Sequence, residues 1–291
     1  MPRQFTFESD KGVLDAMGPK AACDVEVLSF SRLADVIFKQ CGAPTKPILK
    51  DGANAAMLAL AIENIKDTLR FFARHRNSAG FVQKMLGQIR AFKQNLITPD
   101  ALQSSAEALP DGYLKEKLRE TALIYRAYDA LVAQSFFDDG DVLGAVYDRL
   151  RETPYFRGKL VVIDDFAAFS AQEYRLIEQM LLQAEDVWVT LCLDAPDNTD
   201  PASPFALTRR TAARLRQLCE KTGVPFGGMR TLTQDNCGYA VYDSAALVHL
   251  EQNLYVPAPA VFEAPTGDLT LCAAPGIREE CDLAAMQIRA L

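Results

Sequence analysis

Apolar residues in the middle of the chain recur at steps of three and four, from about residue 50 to residue 152. This spacing places each set on one face of an α-helix. The sets are Leu58, Ile62, Ile65, Leu69 and Phe72; then Phe81, Met85, Ile89, Phe92 and Leu96; then Leu114, Leu118, Ala122 and Tyr125. No convincing strand pattern interrupts them. The pattern therefore predicts an all-helical block whose apolar stripes form a helix–helix core.

Short apolar runs typical of β-strands stand on both sides of this block. They cover residues 25–30, 159–163, 187–193 and 269–273. Runs that are apolar at nearly every position are expected when both faces of a parallel sheet are covered. Because helix-like stretches follow these runs, the alternation predicts an α/β fold.

Capping residues mark where several of the helices begin and end. Thr98 stands directly before a proline, which is typical of an N-cap followed by the first helical position. Ser170 and Glu173 have the spacing of a capping box. A further helix is predicted over residues 205–221, and Gly223 suits its C-terminal end.

The order of these elements predicts three domains. Residues 1–43 and 158–256 form one α/β domain, and residues 44–157 form a helical domain inserted in it. After a Pro/Ala-rich linker, residues 257–291 begin another domain. A strand found within residues 50–150 would contradict this division.

The composition is that of an ordinary globular protein, with 49% hydrophobic and 24% charged residues. The net charge of -7 argues against a general polyanion binder and still allows a local basic surface. No signal-peptide stretch and no run of 18 apolar residues occurs, so we expect a cytoplasmic protein without a membrane partner. Seven cysteines include no C-x-x-C pair, so no metal site is predicted.

An acidic pair follows the apolar run 159–163. Carboxylates at the end of a parallel strand hold Mg²⁺ in many nucleotide-binding α/β proteins. Asp164 would meet the metal and Asp165 would orient a water, but polar residues also commonly end buried strands, and taken alone that alternative is favoured. A phosphoaspartyl receiver domain needs its acceptor at the end of the third strand, whereas Asp194 ends the very next one. A dehalogenase-type phosphatase needs D-x-D, so both classes are disfavoured.

The phosphate-binding motif of ATPases, G-x-x-x-x-G-K-[ST], is absent from the 291 residues. Without it, the triphosphate charge stays uncompensated. We therefore expect Asp164 and Asp165 to form a vestigial Mg/ATP site at most. No catalytic residue is predicted, and this chain alone is expected to neither hydrolyse ATP nor cut DNA.

A run ending in S-F-S-R opens a helix predicted to extend from Ser31 to a C-terminal end at Gly42. The hydroxyls of Ser29 and Ser31, the first helical amides and Arg32 suit a phosphate of a single DNA strand. Phe30 could stack on a base. The plainer alternative is a serine N-cap with a buried phenylalanine, which physical reasoning alone favours.

Two pairs of arginines stand four residues apart on predicted helices. They are Arg70 with Arg74, and Arg210 with Arg214. Such pairs are most simply solvated helix faces, although either pair could contact phosphates. Arg70, Arg74 and Arg210 are therefore weaker candidates for DNA binding.

Seven segments together resemble one known family. In chain order they are residues 2–7, 27–34, 80–93, 114–128, 164–173, 204–211 and 278–280. Their order and spacing resemble the AddB/RexB family, the B subunit of the bacterial AddAB-type ATP-dependent helicase–exonuclease. Asp165 departs from the family pattern D-G-F, in which glycine is frequent at this position.

The resemblance implies a RecA-like (UvrD-type helicase) parallel-sheet domain with an all-helical insertion and no motor function. It implies that this region guides single-stranded DNA and helps to recognise a recombination hotspot during double-strand break repair by homologous recombination. The implied partners are the A subunit and single- or double-stranded DNA ends. The alternative is an interaction scaffold that holds the partner subunit without contacting DNA.

The resemblance also bears on cofactors. A phosphate loop, where family members carry one, would precede residue 1. ATP with Mg²⁺ and an iron–sulfur cluster are implied only for the intact family protein or complex, and no cofactor is expected in residues 1–291.

Overall fold

The computed structural model describes residues 6–22, 24–75, 78–193, 200–201, 203–231, 244–256 and 258–290. The helices are α1 (Thr6–Ala22), α2 (Phe30–Cys41), α3 (Asp51–Asn64), α4 (Ala79–Gln94), α5 (Pro99–Glu107), α6 (Tyr113–Ser135), α7 (Val142–Glu152), α8 (Ala171–Gln183), α9 (Ala206–Thr222), α10 (Ala245–Asn253) and α11 (Ile277–Ala290). The strands are β1 (Ile48–Leu49), β2 (Phe137–Asp138), β3 (Leu160–Ile163) and β4 (Asp186–Val189), and 3-10 turns cover Lys66–Thr68 and Asp139–Asp141. The described chain is thus α/β and mostly helical.

The helix boundaries predicted from capping residues are confirmed. The hydroxyl of Thr98 accepts a hydrogen bond from the Ala101 amide at the start of α5. Ser170 and Glu173 form both bonds of the capping box that opens α8. Gly223 ends α9 in the left-handed conformation, with φ 71°. Since these contacts lie within a few residues, sequence alone locates them.

The strands form two small parallel sheets, β1 with β2 and β3 with β4. In the second sheet, Ile163 is buried, whereas Leu160 and Val162 are 62% and 56% exposed. Alternate residues point to opposite faces of a strand, so one face packs inward and the other is open. The prediction that both faces are covered is therefore wrong for β3 among the described residues.

The strand β2 lies within the range where we expected no strand, so the helical block is not all-helical. It forms where the segment before α3 runs beside the segment after α6. Ile48 aligns with Phe137, and the Phe137 amide donates to the carbonyl of Pro47. A two-residue strand has too short a pattern to be seen by periodicity.

Three predicted strands are wrong in whole or in part. Residues 25–29 and 269–273 form no strand in the described structure, and β4 ends at Val189. A strand needs a hydrogen-bonded neighbour, and its residue types alone do not supply one. Leu271 is fully exposed, so its segment is apolar without being buried. Asp194 and residues 2–5 lie outside the described residues.

The first helical stripe is interrupted. The pattern predicts one helix face from Leu58 to Phe72, but α3 ends at Asn64. The amides of residues 70–72 donate to the carboxylate of Glu120 on α6. A continuing helix would need those donors for its own carbonyls, so the long-range contact replaces it.

Buried residues form two clusters. One joins α3, α4 and α6, and it contains Leu58, Ile89 and Tyr128. The other joins α2, α7, α8 and the β3–β4 sheet, and it contains Ile37 and Ile177. Helix α7 was predicted to belong to the helical block, but its apolar face packs with the α/β elements.

The chain divides into two compact units. One comprises residues 1–199 and 205–226, and the other comprises residues 200–204 and 227–291. This division falls earlier than the predicted boundary at residue 256. Among the described residues, no helix is both long and apolar enough to cross a membrane.

Candidate nucleic-acid interface

The N-terminus of α2 presents two polar side chains to solvent. Ser29 is 4% exposed and caps the helix, since its hydroxyl accepts from the Arg32 amide at 3.3 Å. The Ser29 and Ser31 hydroxyl oxygens are 3.0 Å apart. Ser31 and Arg32 are exposed. The Ser29 hydroxyl is thus engaged within the helix start, while Ser31 and Arg32 are open to a ligand.

Phe30 lies partly buried against the loop that follows β3. Its ring centroid is 5.5 Å from that of Phe166 and 6.3 Å from that of Phe169. Phe169 continues the aromatic contacts to Tyr174 at 5.5 Å. This packing fixes the start of α2 to the loop, and it limits how much of the Phe30 ring a base could reach.

The two adjacent aspartates after β3 have different surroundings. Asp164 is partly buried, and its carboxylate accepts a hydrogen bond from the Thr190 hydroxyl beyond β4. Asp165 is exposed and has a positive φ of 64°. Within the described ranges, no group of three or more His, Cys, Asp or Glu side chains is arranged to hold a metal ion.

Helix α9 also contacts this loop. The Thr211 hydroxyl donates to the carbonyl of Ala167 at 2.8 Å. The guanidinium carbon of Arg214 lies 4.0 Å from the ring centroid of Tyr174, a cation–π distance. Arg210 is exposed on this helix. The loop 164–170 therefore joins the two elements that carry Arg32 and Arg210.

Arg70 and Arg74 belong to a different part of the molecule. Both are exposed in the loop that follows α3, whose buried residues pack in the helical cluster. They were predicted to lie four apart on a helix, but this segment is not helical.

A buried ionic cluster around Lys93 was not predicted from the sequence. The ammonium of Lys93 lies 2.7 Å from a carboxylate oxygen of Asp141, 2.9 Å from Asp129 and 3.3 Å from Asp138. The Lys93 side chain is 4% exposed, and that of Asp138 is 5% exposed. Lys93 follows Ile89 by four residues on α4, so a lysine on the apolar face was the available signal.

Burial and charge compete within this cluster. Burial works against the Lys93 ammonium, but its three carboxylate neighbours outweigh burial and raise the pKa of Lys93. Burial raises the pKa of Asp129 and of Asp141, because one lysine does not fully compensate three acids. Burial also opposes the charge of Asp138, but Lys93 and the Gly140 amide outweigh it and lower the Asp138 pKa.

The cluster borders a cleft of about 700 Å³ that also includes Lys46 and Arg149. Its lining includes three basic and four acidic side chains, so the cleft has no single sign of charge. Its ionic contacts join α4, α6 and the turn 139–141. We therefore assign the cluster a structural role.

The sequence of the chain is similar to a known family over most of its length. Residues 1–251 match the model of the family described as "ADDB, N-terminal". The chain is also similar to proteins named as the B subunit of an ATP-dependent helicase/deoxyribonuclease. The identity is 29% with that of Clostridium tetani, 32% with that of Desulforudis audaxviator and 27% with that of Thermoanaerobacter sp. (strain X514).

Each of these three matches covers 99% of this chain and 25–26% of the relative. The chain therefore spans about a quarter of the length of the curated relatives that it matches. The family match confirms the resemblance inferred from the segments along the sequence. The chain belongs to the AddB family, and it matches the N-terminal part of that family.

Proposed function

We propose that this chain is a DNA-contacting, non-catalytic region of a helicase/deoxyribonuclease B subunit. It guides single-stranded DNA past the exposed start of α2 and the neighbouring face of α9. In the intact complex it contributes to double-strand break repair by homologous recombination and helps to present a recombination hotspot. Its partners are the A subunit and DNA ends, and it acts in the cytoplasm.

One observation supports this proposal above the others. Ser31 and Arg32 are exposed at the first turn of α2. Amides at a helix start, a hydroxyl and a guanidinium are the groups that commonly bind a backbone phosphate. Exposed Arg210 on α9 adds a second cation on an element that touches the same loop.

For the fold we propose a RecA-like, UvrD-type domain drawn from residues 1–43 and 158–226, with α3 to α6 inserted between them. The strand β2, which the predicted division excluded, pairs with β1 at the edge of this insertion. The parallel pairing of β3 with β4 and the carboxylates at the end of β3 support this proposal. Residues 257–291 would begin a second helicase-type domain.

For the chemistry we propose that Asp164 and Asp165 are a relic of a Mg/ATP site and that this chain turns over no ATP. In support, the Asp164 carboxylate already accepts a hydrogen bond from the Thr190 hydroxyl, and the Asp165 backbone has the left-handed conformation. ATP with Mg²⁺ and an iron–sulfur cluster would belong to the intact protein or complex. A steady-state ATPase and nuclease assay with Mg²⁺ and single-stranded DNA should detect no turnover. Turnover that disappears in Asp164→Ala would reject this part of the proposal.

The DNA role is tested by equilibrium binding of the 291-residue chain to a fluorescent single-stranded oligonucleotide. Arg32→Ala should weaken binding several-fold, because one charged phosphate contact is lost. The matched control is Arg157→Ala, which removes an exposed arginine that follows α7. No binding by the wild-type chain would favour a scaffold that holds the partner subunit without touching DNA. Equal binding by the wild-type chain, Arg32→Ala and Arg157→Ala would place the DNA contact away from the start of α2.

A further inference from the structure

A second exposed basic and aromatic surface lies on the helical part of the chain. We call it the Tyr113 surface, and it consists of Arg70, Phe71, Arg74 and Tyr113. Tyr113 is 74% exposed at the first turn of α6. Its ring centroid lies 4.6 Å from that of Phe71, at an interplanar angle of 69°. One edge of the tyrosine is thus supported by Phe71, while most of the ring faces solvent.

The loop beneath this surface is held by a buried carboxylate. Glu120 is 7% exposed and accepts the amides of Arg70 and Phe71 at 2.6 Å each and that of Phe72 at 2.9 Å. The Phe72 ring then packs on Phe81, with centroids 5.0 Å apart. Three charge-assisted bonds and a buried ring fix the backbone, so little freedom remains to be lost when a ligand binds.

The loop is positively charged although the whole chain is acidic. Residues 69–75 contain two arginines, both exposed, and no carboxylate. The acids at the start of α6 are already engaged. Asp111 pairs with Lys115 at 2.9 Å, and Glu116 pairs with Arg119 at 3.2 Å. The carboxylate of Glu120 is buried beneath the loop, where it accepts the loop amides. The exposed charged side chains of residues 69–75 are therefore the two arginines.

From these contacts we infer that the Tyr113 surface binds single-stranded DNA. A base stacks on the open face of Tyr113, and Arg70 and Arg74 contact the flanking phosphates. Aromatic rings beside cationic groups are the common means of binding a single strand without reading its sequence. A protein partner could pack on the Tyr113 ring and on exposed Leu114, but such a partner would not account for the two arginines. The inference rests on the proposed DNA role and adds a site distant in sequence from Arg32.

The first test measures binding of a fluorescent oligothymidylate to the 291-residue chain. Tyr113→Ala should weaken binding by roughly 5- to 100-fold, the range expected for losing one stacked base. Tyr113→Phe keeps the ring and should bind as the wild-type chain does. Tyr255→Ala is the matched control, because Tyr255 is similarly exposed at 71% and lies outside the basic loop.

The arginines are tested in the same assay. The double variant Arg70→Ala/Arg74→Ala should weaken binding and reduce its dependence on salt, since phosphate contacts release counterions. Arg157→Ala should leave both unchanged. Thermal unfolding of each variant checks that it is folded, which the exposure of the replaced side chains leads us to expect.

A photo-crosslinking experiment separates this inference from the proposed function. An oligonucleotide that carries iododeoxyuridine crosslinks to stacked aromatic residues, and we expect the crosslink at Tyr113. Crosslinks confined to Phe30, with Tyr113→Ala binding normally, would overturn the inference and keep the proposed function. Failure of the wild-type chain to bind the oligonucleotide would overturn both. A Tyr113→Ala variant that binds DNA normally but no longer binds the partner subunit would reassign the surface to protein contact.

Discussion

Lys93 is the side chain whose replacement we expect to cost the most stability. Its ammonium lies within 3.3 Å of carboxylates of Asp129, Asp138 and Asp141. Lys93→Met would leave the buried acids without their cation, a change that typically costs about 3–5 kcal/mol. Urea unfolding at neutral pH measures this loss. Lys84→Met on the exposed face of the same helix is the matched control and should change stability little.

The loss in Lys93→Met should depend on pH. Without the cation, the folded-state pKa values of Asp129 and Asp141 rise further above the unfolded value of about 4, and the pKa of Asp138 rises from below its usual value. The folded state then holds protons that the unfolded chain has released, so the variant gains stability as pH falls toward that value. Its deficit relative to the wild-type chain should therefore shrink between about pH 7.5 and about pH 5. An equal deficit at both pH values would contradict the charge assignment.

Asp165 has a left-handed backbone conformation, with φ 64°. A Cβ atom costs energy there, which accounts for the glycine found in the related sequence pattern. Asp165→Ala should be less stable than Asp165→Gly by about 1 kcal/mol. Chemical denaturation of both variants measures the difference. At Lys84, inside a regular helix, alanine and glycine should rank in the reverse order, and the same ranking at both positions would refute the explanation.

At this scale the candidate site was only partly predictable. The pattern around Ser29 predicted an N-cap, because the hydrogen bond from the Arg32 amide to the Ser29 hydroxyl spans only three residues. It could not predict that Phe30 packs on Phe166 and Phe169, which lie more than a hundred residues further along the sequence. Side-chain environments set by such distant contacts have no local signal.

At the scale of the elements, two glycines near α4 have opposite surroundings: Gly140 is crowded by Lys93 of α4, and Gly87 within α4 is open. A Cβ atom on Gly140 would lie 2.8 Å from Lys93 Cδ and 3.1 Å from Asp138 Oδ1, whereas one on Gly87 would meet nothing within 4 Å. Gly140→Ala should destabilise the chain by about 1–3 kcal/mol through overpacking. Gly87→Ala, in the interior of the helix, should stabilise it by about 0.5–1 kcal/mol. Thermal unfolding of the two variants checks the opposite signs, and a shift in the same direction for both would contradict this packing.

Elements whose signals are local were predicted well. Helices α5, α8 and α9 begin or end at the capping residues seen in the sequence. The interruption of the first apolar stripe was missed because the carboxylate of Glu120, on another helix, takes the amides of residues 70–72 that a helix reaching Phe72 would need. The strand β2 was missed because two residues form no period. Helix α1 was not predicted at all.

At the scale of the whole molecule, the α/β class was predictable and the division into units was not. Alternating apolar runs and helices indicated the class. The boundary after residue 226 and the packing of α7 with α2 and α8 depend on which faces meet in space. Apolar periodicity shows that a face is buried, but it does not show against which neighbour.

The central claim is that this chain contacts the phosphates of single-stranded DNA through the elements around the loop 164–170. The salt dependence of oligonucleotide binding tests it most directly, because the slope of log K against log salt counts phosphate contacts, at about 0.7 per contact on a single strand. We expect a negative slope for the wild-type chain that becomes shallower by roughly 1.4 in Arg32→Ala/Arg210→Ala. A slope unchanged in that double variant, or binding that does not respond to salt, would contradict the account.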